Sequence, residues 1–400
     1  MIKITEFIFI FLLLNIGISK SNNNSTDYLK KVLNNLEKIE SATYSELRES
    51  WQPGDTVATS IFCRLVNEFS NPVDSTIGAN YVSFDCDVPT KLEFAYDGKV
   101  RVLVYHDEKS IIIDDFTEKP LPFRPLSPPF FNYTKNIIQY ILTTKESIVV
   151  DLKEFGDCYF IKLVINEDKQ IEFFGKAYHM PENPYNKDGT TSIYELWINK
   201  SSNLPYRVRR EMSHNISVTT CLNAEFNKLF IADFSVYDYF PANYEIRKYG
   251  MKRERKESDL IGKKAPDWIL YDKNEQSISL ADLKGKVSLI QFTGIGCGPC
   301  QASIPFLKEL REKYSKDKFE LIAIEGWRRK PHSLQNYSKR NELNYNLLCG
   351  TDEVIKDYQT SSFVPVFFIL DQEQIIRNVI NGYSEEAAKQ EILNSIAELL

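Results

Sequence analysis

Histidine is scarce in this 400-residue chain, with only His106, His179, His214 and His332, scattered along its length. A single Cys-x-x-Cys, Cys297-Gly-Pro-Cys300, has no second copy to complete a four-ligand zinc site. Gln301 stands where c-type haem attachment requires histidine after the second cysteine. Neither sign of charge dominates: the formal net charge is -6 and the pI about 5.5, so nothing draws the chain generally to nucleic acid or to an anionic membrane. Long apolar runs are also missing. The stretch Phe7 to Leu14, followed closely by Asn15 and Gly17, is too short for a permanent membrane span, and no nearby cysteine is available to carry a lipid.

What that amino-terminal stretch does fit is a cleavable secretory signal over residues 1–19, with Lys3 ahead of the apolar run and small residues at Gly17-Ile-Ser19. Glu6 departs from the usual basic region. A periplasmic or secreted location suits seven cysteines, because disulfides persist outside the cytoplasm. Cys63, Cys86, Cys158 and Cys221 allow three pairings, and Cys63 with Cys86 is preferred because both fall in strand-like segments close in sequence. Cys349 is left as a buried hydrophobe or a second redox partner.

The length suggests two domains. After the polar Asn22-Asn-Asn-Ser25, residues Tyr28, Leu29, Val32, Leu33, Leu36 and Ile39 recur at helical spacing. Strand patterns follow at 41–49, 56–69, 79–88, 92–96 and 100–105, the last two joined across Asp97-Gly98 as a hairpin. The Pro-rich stretch Pro120 to Pro129 cannot be a central strand and is expected to cross the surface before a short helix at 133–142. Strands resume at 147–150, 159–165, 171–178, 193–198, 206–212, 216–221 and 230–237. So many strands and so few helices imply a mainly antiparallel β domain over 22–246, a curved sheet partly closed or packed on two helices. No titratable cluster in it has the pattern of a catalytic centre. The densely charged Arg247 to Asp259 reads as a solvated linker.

From Leu260 strands alternate with helices. Apolar strands are expected at 287–293, 319–324, 345–348, 366–370 and 375–380, and helices at 299–314, 333–341, 353–358 and 385–400, an α/β sheet covered by helices. The strand Val287 to Thr293 runs almost directly into the helix that carries Cys297 and Cys300. Free backbone N–H groups and the helix dipole favour a thiolate at such a helix start. Pro299 suits the first turn, and the three-residue offset sets Cys300 behind Cys297, within disulfide reach. One cysteine attacks and the other resolves. An inert structural disulfide is the alternative.

Residues 260–400 resemble the thioredoxin-fold oxidoreductases of the TlpA/ResA type. The likeness lies in Ile261-Gly-Lys-Lys-Ala-Pro-Asp267, Ser279 to Lys286, Cys297-Gly-Pro-Cys300, Pro305 within the helix, and Phe363-Val-Pro-Val-Phe-Phe-Ile-Leu-Asp371. It implies a thiol–disulfide oxidoreductase needing no cofactor beyond its redox-active Cys297–Cys300 pair. It also implies a cis proline at Pro365 facing that pair, with Val364 pairing by main-chain hydrogen bonds to a substrate strand. Disulfide-containing exported proteins would be the partners, with an electron donor that the sequence does not name.

Three departures stand out. Gly296 replaces the tryptophan common before the first cysteine. Gln291 occupies the place of the buried thioredoxin acid, and Ser303 that of the ResA-type glutamate. Resolution needs Cys300 to lose a proton, and Glu325 at the end of the neighbouring strand is the candidate acceptor, with a solvated surface acid as its ordinary alternative. The hairpin 193–210 resembles those of LolA-like half-barrel lipoprotein carriers, which implies a concave face able to hold an apolar ligand; an ordinary sheet core without a cavity is the competing expectation. Two other functions stay open: a binder of apolar ligand or unfolded chain whose thioredoxin domain is an adaptor, and a thiol peroxidase. Against the latter, Thr293 lies four residues ahead of Cys297, where a peroxidatic site usually has threonine three ahead.

Overall fold

The computed structural model describes residues 23–117, 126–181, 189–251, 258–360 and 364–400. The expected leader, most of the Pro-rich crossing and the middle of the charged run lie outside them. The first half opens with α1 (Asn23–Glu37), followed by β1 (Ser41–Trp51), β2 (Ser60–Ser70), β3 (Ala79–Asp85), β4 (Leu92–Tyr96), β5 (Arg101–Tyr105) and β6 (Ser110–Asp114). Next come α2 (Phe130–Thr143), β7 (Ile148–Phe155), β8 (Cys158–Ile165), β9 (Ile171–Phe173) and β10 (Ala177–His179). The half ends with β11 (Ser192–Asn199), β12 (Leu204–Met212), β13 (Ile216–Phe226) and β14 (Glu245–Lys248). Twelve strands form one sheet in the order β14-β6-β5-β4-β3-β2-β1-β13-β12-β11-β8-β7, antiparallel except where β14 joins β6. Alternation explains the packing: β11 buries every second residue, including Tyr194, Leu196 and Ile198, against a core shared with Leu29, Val32 and Leu36 of α1 and Ile137 and Ile138 of α2. Each such side chain contributes roughly 1.5–3 kcal/mol by burial.

The start of α2 is capped from a distant strand. Pro129 at the N-cap offers no side-chain acceptor, and the carboxylate of Glu68 on β2 takes the N–H groups of Phe131 (3.1 Å) and Asn132 (2.7 Å). Tyr44 donates its hydroxyl to Glu68 (2.9 Å) and accepts the N–H of Phe130 (2.8 Å). Burial pushes Glu68 up to about 7, and these hydrogen bonds pull the other way. An unfolded chain ionises this group near 4.5, before the folded one does. Stability from this group is therefore complete below that pH and is lost as pH rises toward 7, by up to about 3 kcal/mol. Glu68→Gln should remove that slope. Urea denaturation of both proteins at intervals between about pH 4 and pH 8 checks it, and equal slopes would refute the assignment.

Three expectations need correcting. Residues 171–178 are two short strands rather than one, β9 and β10 folded back at Gly175, whose φ is +90°. A Cβ there would come within 2.4 Å of Ile77 Cα and Thr76 O, so only glycine fits. Residues 230–237 form 3₁₀ turns at Ile231–Asp233 and Val236–Tyr239, not a strand. Their alternating apolar groups, Phe234 and Val236, instead cover a cluster of Val82, Phe84, Leu92 and Val102. The charged run begins inside the sheet, because Arg247 and Lys248 belong to β14 and pair with Ile112 and Ile113.

The second half has its own five-stranded sheet, preceded by a small hairpin of β15 (Ile269–Tyr271) and β16 (Ser277–Ser279). Its strands are β17 (Val287–Thr293), β18 (Phe319–Glu325), β19 (Asn346–Cys349), β20 (Val366–Leu370) and β21 (Ile376–Asn381), in the order β19-β18-β17-β20-β21. The helices are α3 (Gly298–Lys313), α4 (Pro331–Arg340), α5 (Asp352–Asp357) and α6 (Ala387–Ala397). Central β17 is buried throughout, pairing parallel with β18 and antiparallel with β20. Apolar clusters on both faces of the sheet account for its apolar residues, Val287 and Leu289 packing on one face and Ile290 and Phe292 on the other. This mixed sheet with helices on both faces is the thioredoxin fold.

Candidate active site

β17 ends at Thr293, and three residues carry the chain to Cys297, the N-cap of α3. Gly296 adopts φ +95°, a conformation that tryptophan would rarely accept, which accounts for the first departure. Cys297 and Cys300 are joined as a disulfide, their Cα atoms 5.2 Å apart. The Cys300 N–H points at Cys297 Sγ, 3.2 Å away, so the helix start directs a backbone donor at the leading sulfur. Cys297 is 7% exposed and Cys300 only 1%. The Val364–Pro365 bond is cis, and Val364 O lies 3.7 Å from Cys297 Sγ. Pro365 therefore sits beside the dithiol, with β20 starting at the next residue.

Beneath the pair the two substituted acid positions meet. Gln291 donates its amide to Ser303 Oγ (3.0 Å), and Ser303 donates to Cys300 O (2.7 Å), both side chains being buried. This neutral bridge fills the space where an acid would take the Cys300 proton. Glu325 is not the solvated surface acid allowed for above. It is fully buried, and burial raises its pKa. One oxygen accepts the N–H of Ile295 in the cysteine loop (3.2 Å), the other the N–H of Arg329 (2.7 Å). It lies between Thr293 and Cys349 across three parallel strands. The Cys349 thiol is pushed up to about 11, chiefly by burial.

Several site residues were not anticipated. The Trp327 ring lies against Gly294, where a Cβ would come within 2.7 Å of it, so the site has its tryptophan on the loop after β18. Arg329 stacks on that ring at 5.7 Å. The only sequence signal was glycine at the ends of two adjacent strands. Away from the dithiol, Cys63 and Cys86 form a disulfide with Cα atoms 5.5 Å apart, and Cys158, Cys221 and Cys349 are free thiols. Under α2 is a cavity of about 240 Å³ lined by Phe173 and by Glu46, Arg48, Glu172, Arg210 and His214. Glu172 pairs with Arg210 at 2.9 Å, and burial drives His214 down to about 4. These charges come from separate strands and a loop, which is why no cluster was legible in sequence. An apolar occupant there would face two carboxylates and two guanidinium groups. Among the described residues no helix is long and apolar enough to cross a membrane.

A dithiol at the start of the helix after the central strand, faced by a cis-proline loop, defines a thioredoxin-fold thiol–disulfide oxidoreductase. The sequence model of the AhpC/TSA family matches residues 261–379. Thiol-disulfide oxidoreductase ResA of Bacillus thuringiensis subsp. konkukian is 30% identical over 149 residues, covering 37% of this chain and 83% of that protein. ResA of Bacillus subtilis is 28% identical over 141 residues, 35% and 78% of the respective chains. The crystal structure of a thiol:disulfide interchange protein from Chlorobium tepidum is similar at 22% identity over 36% of this chain and 99% of that one, with a TM-score of 0.30. That score is too low to carry weight, and the fold rests on the strand order above. By its second half, the chain belongs to the ResA family of thiol–disulfide oxidoreductases.

Proposed function

We propose that the protein is an exported reductase of disulfides in periplasmic or secreted proteins, acting through reduced Cys297 and Cys300. The observation that carries this reading is the Cys297 sulfur at the N-cap of α3, 3.7 Å from Val364 O and 7% exposed, against 1% for Cys300. The Cys297 thiolate attacks one sulfur of the substrate disulfide, forming a mixed disulfide and releasing the other substrate sulfur as a thiol. Cys300, having lost its proton, then attacks Cys297 Sγ, closing the internal disulfide and releasing the second substrate thiol. Two electrons pass to the substrate, and an exported dithiol donor must restore the pair. Val364 and Pro365 supply the edge against which an extended substrate segment lies. No cofactor or nucleic acid enters the reaction.

Export is supported by the composition of residues 1–19 and by the Cys63–Cys86 disulfide, a bond that persists in oxidising compartments. The first sheet, through Lys248 at the end of β14, and residues 260–400 would then belong to two domains joined by the rest of the charged run. The half-barrel carrier resemblance fits the two helices on one long sheet, but the charged cavity does not favour an apolar ligand. Cys300→Ser is expected to hold client proteins covalently through Cys297 and to release them to a thiol reductant. A trap that recovers nothing, together with a wild type inactive in thiol-dependent reduction of both insulin and an unstructured disulfide peptide, would overturn the reading. Peroxide consumption faster than disulfide reduction would instead make it a peroxidase.

A further inference from the structure

The turn between β1 and β2 belongs to the first half of the chain, yet it is bound to the second half beside the dithiol. Asn336 on α4 donates to Pro53 O (2.9 Å) and Asp55 Oδ1 (2.8 Å). Arg340, one turn further along α4, donates to Gln52 Oε1 (3.0 Å), and Arg329 donates to Thr59 O (3.2 Å). The turn is rigid in its own right. The second oxygen of Asp55 accepts the Gln52 N–H (3.0 Å) and the Thr59 hydroxyl (2.8 Å), and Gly54 takes φ +87°, where a Cβ would come within 3.1 Å of Asn336 Oδ1. Gln52 is 5% exposed, and its amide nitrogen lies 3.8 Å from where a Cβ on Gly296 would be. Gly296 immediately precedes Cys297, so the Gln52 side chain reaches the loop that presents the sulfur. Arg329 ties it to the site a second way, because its backbone N–H is held by Glu325, which also holds the Ile295 N–H.

We propose that residues 52–59 form a specificity-determining wall of the substrate groove, narrowing the approach to Cys297 so that extended, unfolded disulfide segments enter and disulfides on folded surfaces are turned away. This rests on the reductase reading and adds the substrate class. It follows from geometry: with Cys297 7% exposed, Val364 O 3.7 Å from its sulfur and the docked turn beside the preceding Gly296, a strand-thin segment reaches the sulfur where a globular surface does not. Asn336 and Arg340 are positioning residues here, acting through the turn.

The test compares kcat/KM for reduction of insulin, a folded disulfide protein, and of two short unstructured peptides joined by one disulfide. Asn336→Asp sets a carboxylate against Asp55 and should undock the turn; Arg340→Ala removes the Gln52 contact and serves if the first variant folds poorly. Hydrogen exchange across 52–59 reports the undocking. The insulin rate should rise about tenfold relative to the peptide rate, which should stay within about twofold of wild type. An undocked turn with an unchanged insulin-to-peptide ratio would overturn the wall and leave the reductase reading standing. A wild type that reduces neither substrate overturns both.

Discussion

Replacing Cys297 with serine is expected to abolish disulfide reduction, lowering kcat/KM by at least about a thousandfold while leaving the fold intact. A serine hydroxyl stays protonated at neutral pH, and the helix start that stabilises a sulfur anion has nothing to act on. The Cys300 N–H directed at Cys297 Sγ should also make this thiol the first in the reduced protein to be alkylated. The molecule contains its own controls. Cys349 is pushed up to about 11 and buried Cys221 further still, so both should react slowly at pH 7. Timed alkylation of the reduced protein, read by peptide mass, checks the order. If Cys297 is modified no faster than Cys349, the redox assignment fails, because position on α3 would confer no reactivity.

How much of this was legible beforehand depends on how far apart the interacting residues lie. The dithiol was readable because a buried strand, a turn and a helix start occupy one stretch, Val287 to Lys313, and each leaves a local pattern. The family resemblance marked Gln291 and Ser303 as two departures, but that their side chains bond to each other is seen only in the structure. The first half was readable as strands but not as an assembly. Alternation at 230–237 reports that one side is buried without saying whether the backbone pairs, and there it covers a sheet face instead. The contact of Gln52 with Arg340 spans 288 residues, and no periodicity or motif encodes such a pairing. The fate of Glu325 was illegible for a related reason. A carboxylate at a strand end is usually solvated, and here it is taken up by the loop that follows it, at Arg329, and by the cysteine loop thirty residues earlier, at Ile295.

Glu325→Leu should destabilise the protein by about 2–5 kcal/mol, because it strips the acceptor from two buried backbone N–H groups, those of Ile295 and Arg329. Glu325→Gln keeps an acceptor for one of them and turns an amide N–H toward the other, so its cost should be about half as large. Because its hydrogen bonds go to the cysteine loop and to the loop after β18, the carboxylate is expected to hold the cysteine loop rather than to take the Cys300 proton. Glu325→Gln is therefore expected to lower kcat/KM modestly, without accumulating mixed disulfide and without shifting the pH profile of the resolving step. Quenched-flow trapping of the mixed disulfide at several pH values separates the two roles. If the intermediate accumulates in Glu325→Gln and its breakdown loses the wild-type pH dependence, Glu325 is the proton acceptor after all. If neither changes, the proton leaves Cys300 to water, because the Gln291–Ser303 bridge beneath it has no basic group to receive it.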